Sequence, residues 1–403
     1  MMLNEQARPY TDVPTGPAIG TLLRMLERIE SGSLCVAHGE AQWRLKGALP
    51  GPGAELRVHR PANLLRRVFL AGGIGFAESY MHGDWESPNL AALLLLLEQN
   101  EEALAAQSQS SLVVNWLNRF RHLLNRNSIR GSRRNIAAHY DLGNDFYRLW
   151  LDPSMTYSCA LFENGETDLE QAQRRKYARL LDLLEATPGQ RVLEIGCGWG
   201  GFALEAARRG LRVTGITLSS EQLAFARKRV RDAGMEGSVE LRLQDYRHLS
   251  ETFDHIVSIE MLEAVGEEHW ETYSRALKRC LKPGGRAALQ FITIDASIFE
   301  RYRRSPDFIQ RYIFPGGMLP TLEKFSESVE GAGLRKVRQD LFGQDYAQTL
   351  AQWHRRFLTC EQDVAAMGFD QSFRKMWKYY LAYCEAGFRL GRINLAHMLL
   401  ERD

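Results

Sequence analysis

Residues Val192 to Gly201 read VLEIGCGWGG. Val192, Leu193 and Ile195, interrupted only by Glu194, run straight into four glycines within six positions. The apolar run has the length of a buried strand. Glycines after it let the chain turn sharply and leave no side chain between the backbone and a ligand. A helix starting behind such a loop points its N-terminal amides at that ligand. Gly196, Gly198 and Gly201 also satisfy G-x-G-x-x-G, which marks dinucleotide-binding folds and, with no ligand at all, simple strand-to-helix turns.

Outward from this loop the periodicity predicts alternating strands and helices. Strands are expected at Arg191–Ile195, Leu211–Ile216, Val239–Leu243, Phe253–Ile259 and Arg286–Ile292. Helices are expected at Phe202–Arg209, Glu221–Ala233 and Glu271–Leu281. That alternation implies an α/β fold with a doubly wound, Rossmann-like, mostly parallel sheet. Ligands of such sheets sit beyond the carboxyl ends of the strands, at the topological switch point. Gly196–Gly201, Thr217–Gln222, Gln244–Asp245 and Ile259–Glu263 all fall there.

A dinucleotide fold needs an acid at the end of the second strand to hold a ribose. This chain has TLSSEQ at 217–222, with hydroxyls and an amide in that place. That argues against NAD and for S-adenosylmethionine, the cofactor of class I methyltransferases. Gly196, Cys197 and Gly198, flanked by Glu194 and Gly200, suit its amino-acid part. Thr217, Leu218 and Gln222 suit the ribose, and Gln244 and Asp245 suit the adenine.

Composition narrows the class further. The chain has 403 residues, 45% apolar and 25% charged, which is globular. A net charge of +2 gives no field that favours nucleic acid. Six cysteines, at 35, 159, 197, 280, 360 and 384, include no C-x-x-C pair, so no metal site is expected. The start, MMLNEQARPY, has no signal-like apolar core, and the longest apolar run, Leu90–Leu97, is too short to span a bilayer. A cytoplasmic protein with peripheral contact to the inner face of the membrane is the expectation.

Three regions are expected. Residues 1–110 read as a small α+β N-terminal domain, with a helix near Leu22–Glu30, strand-like pieces at Ala41–Leu45 and Glu55–Val58, and a helical run at Leu90–Gln99. Residues 111–134 read as a basic amphipathic linker helix. Leu112, Val113, Trp116, Leu117, Phe120, Leu123 and Leu124 share a face, and six arginines without an acid lie between Arg119 and Arg134. Such a helix suits an anionic lipid surface, or packs between domains with its arginines solvated. Residues 135–403 read as the methyltransferase domain with insertions for a lipid substrate.

Several segments together resemble the cyclopropane-fatty-acyl-phospholipid synthases. They are YDLGNDFYRLWLDPSMTYSCALFE at 140–163, VLEIGCGWGG at 192–201, GITLSSEQ at 215–222 and QDYRHL at 244–249. EMLEAVG at 260–266, ALQFITI at 288–294 and YIFPGGMLP at 312–320 complete them. The resemblance covers roughly residues 130–400. It implies transfer of a methyl group from S-adenosylmethionine to the cis double bond of a phospholipid acyl chain, with closure to a cyclopropane. It also implies a carbocation, a dry aromatic pocket, and a bound bicarbonate as the base. By match to the motifs, Cys159, Glu263 and Tyr346 would hold the bicarbonate, and Tyr157 and Ser158 would touch the cofactor. Cys384, in YYLAYCEAGFR, is a further candidate thiol. On this reading Glu263→Gln and Cys159→Ser lower turnover while cofactor binding persists. A homodimer straddling the membrane is a further expectation.

Two positions depart from many bacterial members. Ala264 stands where they have His in EHVG, and Gln290 stands where they have a His that binds bicarbonate. Gln can donate a hydrogen bond there but cannot take a proton. The plant-like branch shares both residues, as do some actinobacterial fatty-acid methylases. A 10-methyl or methylene-branched product is therefore an alternative to the ring. The same framework also suits a small-amine N-methyltransferase or a non-catalytic lipid-binding protein.

Overall fold

A computed structural model describes residues 16–105, 142–163, 165 and 167–403. The basic amphipathic segment expected at 111–134 lies outside the described residues. The chain forms two compact units. One takes in the N-terminal part together with Gln371–Ala386; the other takes in the rest up to Asp370 and then Gly387–Asp403. The borders read from the sequence, at 110 and 135, did not assign Gln371–Ala386 to the first unit.

The first unit holds a four-stranded sheet in the order β2-β1-β3-β4, with β1 Ser31–His38, β2 Ala41–Lys46, β3 Leu49–Val58 and β4 Trp85–Glu86. Both expected strand pieces and the helix Leu90–Gln99 are present, the latter capped by Asn89 Oδ1 accepting from the Ala92 amide at 3.0 Å. The first helix is Pro17–Leu26, earlier than read, because Pro17 supplies a preset first helical residue. Strand β1 and the helix Pro61–Met81 were not read. Gly72, Gly73 and Gly75 conceal that helix, and Gly72 breaks it at φ 56°.

In the second unit β5 Arg191–Ile195, β6 Arg212–Thr217, β7 Val239–Leu243, β8 Phe253–Ile259 and β9 Leu281–Ile294 form the parallel part of a seven-stranded sheet. β10 Arg335–Leu341 and β11 Ile393–Glu401 extend it, and β11 runs antiparallel to both β9 and β10. The order is β10-β11-β9-β8-β5-β6-β7. The chain leaves β5 toward β6 on one side and returns to β8 on the other, so the switch point lies between β5 and β8.

Alternation along the strands fills two cores. Leu193, Ile195, Leu289 and Phe291 join one, packed with the helices Trp270–Cys280 and Leu322–Gly331. Val192, Val213 and Ala288 join the other, packed with the helices Leu169–Leu184, Gly201–Arg208 and Ser220–Asp232. Two-sided burial is what makes these strands read as near-continuous apolar runs. Among the described residues, no helix is long and apolar enough to cross a membrane.

Candidate active site

A cleft opens at the carboxyl ends of β5, β6, β7 and β8. Glu194, Gly196, Cys197, Gly198, Thr217, Leu218, Gln222, Gln244 and Asp245 line it, with Tyr157 and Ser158. Gly200 does not line it. It caps the helix Gly201–Arg208 in a left-handed conformation, φ 82°, where a Cβ would sit 3.2 Å from Ala226 Cβ. Gly196 has φ 86°, and a Cβ there would meet Met261 Cγ at 2.9 Å.

The cleft carries polar groups suited to an adenosyl ligand. Thr217 Oγ1 donates to Gln222 Oε1 at 3.3 Å and accepts from the Ser219 amide at 3.1 Å. Asp245 is gripped by Arg247 through Nε at 2.9 Å and an Nη at 2.7 Å. Burial alone would raise the Asp245 carboxyl, but the Arg247 hydrogen bonds outweigh it and hold the group low. Glu194 Oε2 is buried with no hydrogen-bond partner, and burial pushes this carboxyl up to about 8. The Ala203 amide holds this carboxyl, and a buried oxygen left over beside a glycine cradle fits the cationic amino-acid end of S-adenosylmethionine.

Beside the cleft, four segments converge on a residue the sequence reading did not single out, Glu260. Its Oε1 accepts from the Cys159 amide at 2.8 Å and from Gln290 Nε2 at 2.8 Å. Its Oε2 accepts from Tyr346 Oη at 2.6 Å. The backbone explains the meeting. Ile259 pairs with Gln290 across β8 and β9, and the Glu260 amide donates to the Gln290 carbonyl at 2.7 Å. The helix Gly343–Thr359 brings Tyr346, and its Asp345 and Thr349 anchor the Phe162 and Ala160 amides at 2.7 and 3.1 Å. His397 of β11 pairs with Gln290, and its Nε2 lies 2.8 Å from Gln290 Oε1. Burial lowers this imidazole to about 3. It is therefore neutral, and Nε2–H donates to Gln290 Oε1, which turns the Gln290 amide nitrogen toward Glu260.

Of this cluster, Glu260 lines the cleft, whereas Cys159, Gln290 and Tyr346 stand behind it. Burial raises the Glu260 carboxyl, opposed by Tyr346, the Cys159 amide, Lys176 and Gln290, all of which favour its charged form. Cys159 contributes its amide rather than its thiol. Sγ donates to the Ala160 carbonyl at 3.1 Å, and burial keeps the thiol protonated. The expectation for Cys159→Ser changes accordingly, because the substitution keeps the amide.

Glu263 is not part of the convergence. Its Oε1 accepts from the Ile292 amide at 2.5 Å, and its Oε2 is buried without a hydrogen-bond partner. Burial, then repulsion from Glu260, push it up to about 8, so it is neutral near pH 7. The expected holders Cys159 and Tyr346, and Gln290 with them, already spend their donors on the Glu260 carboxylate. As arranged, this donor set does not fit a bicarbonate. Cys384 lies on the helix Gln371–Arg389, in the part that clusters with the N-terminal unit, and is not among the residues lining the cleft. A signal for Glu260 was present in the sequence: an acid one residue past the carboxyl end of β8.

A doubly wound sheet with this cleft at its switch point defines a class I S-adenosylmethionine-dependent methyltransferase. Residues 127–398 match the mycolic acid cyclopropane synthetase family. The chain is 41% identical to tuberculostearic acid methyltransferase UfaA1 of Mycobacterium tuberculosis, over 97% of this chain and 94% of that protein. It is 35% identical to the cyclopropane-fatty-acyl-phospholipid synthase of Escherichia coli, over 89% of this chain and 90% of the relative. Mycolic acid cyclopropane synthase CmaA1, solved with SAH and CTAB, superposes with a TM-score of 0.64 at 32% identity, covering 67% of this chain and 98% of that one. The chain belongs to the mycolic acid cyclopropane synthetase family and is an S-adenosylmethionine-dependent methyltransferase.

Proposed function

We propose that the protein methylates the cis double bond of an unsaturated phospholipid acyl chain and that Glu260 is the base that completes the reaction. One observation carries the second half: a carboxylate at the cleft wall with three hydrogen-bond donors gathered on it.

When bound, S-adenosylmethionine supplies a methyl group on a cationic sulfur. The glycine cradle at Gly196–Gly198 with Glu194 would hold its amino-acid part. Thr217 and Gln222 would hold the ribose, and Asp245 the adenine. An alkene is a weak nucleophile, so the walls must hold it about 3–3.5 Å from the methyl. Met155, Ile259, Met261 and Val265 line the cleft with apolar surface that keeps water from a carbocation. Tyr157 lines it too, at the centre of an aromatic cluster with Tyr147, Trp150 and Trp353 at ring distances of 5.3–5.4 Å. A ring face so placed stabilises a cation by about 0.5–2 kcal/mol.

Glu260 then accepts a proton from the added methyl. The C–H electron pair becomes the last C–C bond of the cyclopropane, and the positive charge is cancelled. Burial raises this carboxyl, which strengthens it as a base, and its donors favour the charged form that the step needs. A branched product is the second reading, supported by the 41% identity to a tuberculostearic acid methyltransferase over nearly the whole chain. It shares every step up to the fate of the cation. The partner is an acyl chain presented at a membrane surface, reached peripherally from the cytoplasmic side, with a homodimer as the proposed assembly.

The test is turnover on vesicles of unsaturated phospholipid with S-adenosylmethionine, read by gas chromatography–mass spectrometry. Glu260→Gln is expected to lower turnover about 100-fold or more with cofactor binding kept. Removing dissolved bicarbonate is expected to leave the wild type unchanged. Full activity in Glu260→Gln, or collapse of wild-type activity without bicarbonate, overturns the assignment of the base.

A further inference from the structure

Behind the Tyr157–Cys159 turn lies a cation that the chemistry above does not use. Lys176, on the helix Leu169–Leu184, is 0% exposed. Its Nζ donates to Ser158 Oγ at 2.6 Å and to Gln173 Oε1 at 2.6 Å, and lies 4.6 Å from the centre of the Tyr177 ring. Gln173, one turn earlier, donates to the Ser158 carbonyl at 2.8 Å. One helix face thus grips Ser158 by side chain and backbone together. Ser158 lines the cleft, and the next amide, that of Cys159, donates to Glu260.

Neither acceptor of this ammonium is charged. A buried cation held only by neutral groups is costly unless negative charge stands nearby. The groups that face it are Glu260 at the end of β8, Cys159 and Asp152 from the preceding loop, Glu194 from β5, the neutral His397 from β11, and Tyr177 on its own helix. Burial keeps the Cys159 thiol and the Tyr177 phenol neutral, raises Asp152, and pushes Glu194 up to about 8. Glu260 is the strongest of the charges acting on Lys176.

We propose that Lys176 is a positioning residue for methyl transfer: with Gln173 it fixes the Tyr157–Cys159 turn that aims an amide at Glu260, and its positive charge acts on that carboxyl. This rests on Glu260 being the base. Burial lowers Lys176 from its ordinary value to about 8, with Glu260 the largest opposing influence. While protonated, Lys176 favours the charged form of Glu260, so its charge moves the rise of turnover with pH to lower pH.

The experiment is turnover against pH on phospholipid vesicles for wild type, Lys176→Met and Lys176→Arg, with thermal melting and cofactor binding measured alongside. Lys176→Met is expected to lower turnover and to shift the acid limb up by about one pH unit or more. Lys176→Arg keeps the charge at all pH values tested. It is expected to keep the acid limb near its wild-type position and to turn over faster than Lys176→Met. Should Lys176→Met not fold, Lys176→Gln, which keeps a donor for Ser158 without the charge, carries the same expectation for the acid limb. An acid limb unmoved in the folded neutral variants, whatever the rate, would overturn the proposal. Full activity in Glu260→Gln overturns the base itself; an inactive Glu260→Gln with an unmoved acid limb in the neutral Lys176 variants overturns only the role of Lys176.

Discussion

Glu260 adopts a left-handed backbone conformation, φ 49°, one of three such non-glycine residues among those described. A side chain there is strained, and the surroundings must hold it in place. The hydrogen bonds to its carboxylate and its backbone bond to Gln290 do so. Met155, at φ 54°, is a second such residue, and it too lines the cleft. Donors from Cys159, Gln290 and Tyr346 are not equivalent under substitution. Cys159→Ala keeps the amide and is expected to hold turnover within about fivefold of wild type. Tyr346→Phe removes a hydrogen bond to a charged group, worth about 1.5–3 kcal/mol. It is expected to lower turnover about tenfold or more and to move the acid limb of its pH profile upward, because the anion loses support. Steady-state rates across pH check both, and equal losses in the two variants would count against a role for the Cys159 amide.

At the scale of elements, the loop after β5 and the paired edges of β8, β9 and β11 build the site between them. Gly196 tolerates no side chain: its φ is 86° and a Cβ would lie 2.9 Å from Met261 Cγ, one residue past Glu260. Gly196→Ala is therefore expected to abolish measurable cofactor binding in calorimetry, and wild-type affinity would contradict the cradle. The parallel strands were legible in the sequence because burial on both faces writes most of them as apolar runs in alternation with helices. β7 and β8 fall where the periodicity predicts them, and β9 extends beyond its predicted ends. β10 and β11 were not legible. β10, RKVRQDL, is exposed and polar, and β11 runs antiparallel to its neighbours, outside the strand–helix alternation. The same limit hid what Glu260 and His397 do, although the place of Glu260 past β8 could be read. Their roles come from register across β8, β9 and β11, and pairing between strands distant in sequence leaves no local pattern. Tyr346 and Cys159 could be named from their motifs, but not the carboxylate they serve.

The whole molecule carries a cost for this site that pH exposes. Glu194 and Glu263 have an ordinary value of 4.5, and burial pushes each up to about 8 in the folded chain. Between those values the folded state holds protons that the unfolded state has released, so stability falls as pH rises through that window. The melting temperature of the cofactor-free protein is expected to decline from about pH 5 to pH 8, and Glu263→Gln is expected to flatten that decline. A melting temperature that rises over the window would contradict the buried, neutral state of these acids. The described residues that line the cleft all fall in the methyltransferase unit.

Addition of a methyl group to a lipid double bond, followed by its deprotonation by the protein, leaves an isotopic trace. The protein is supplied with S-adenosylmethionine bearing a fully deuterated methyl, together with vesicles of unsaturated phospholipid, and the acyl chains are analysed by mass spectrometry. A product one carbon heavier that keeps two of the three deuterium atoms is expected, the third having left as the deuteron that Glu260 accepts. A product retaining all three, or no product on the lipid while the cofactor is bound, would contradict that chemistry.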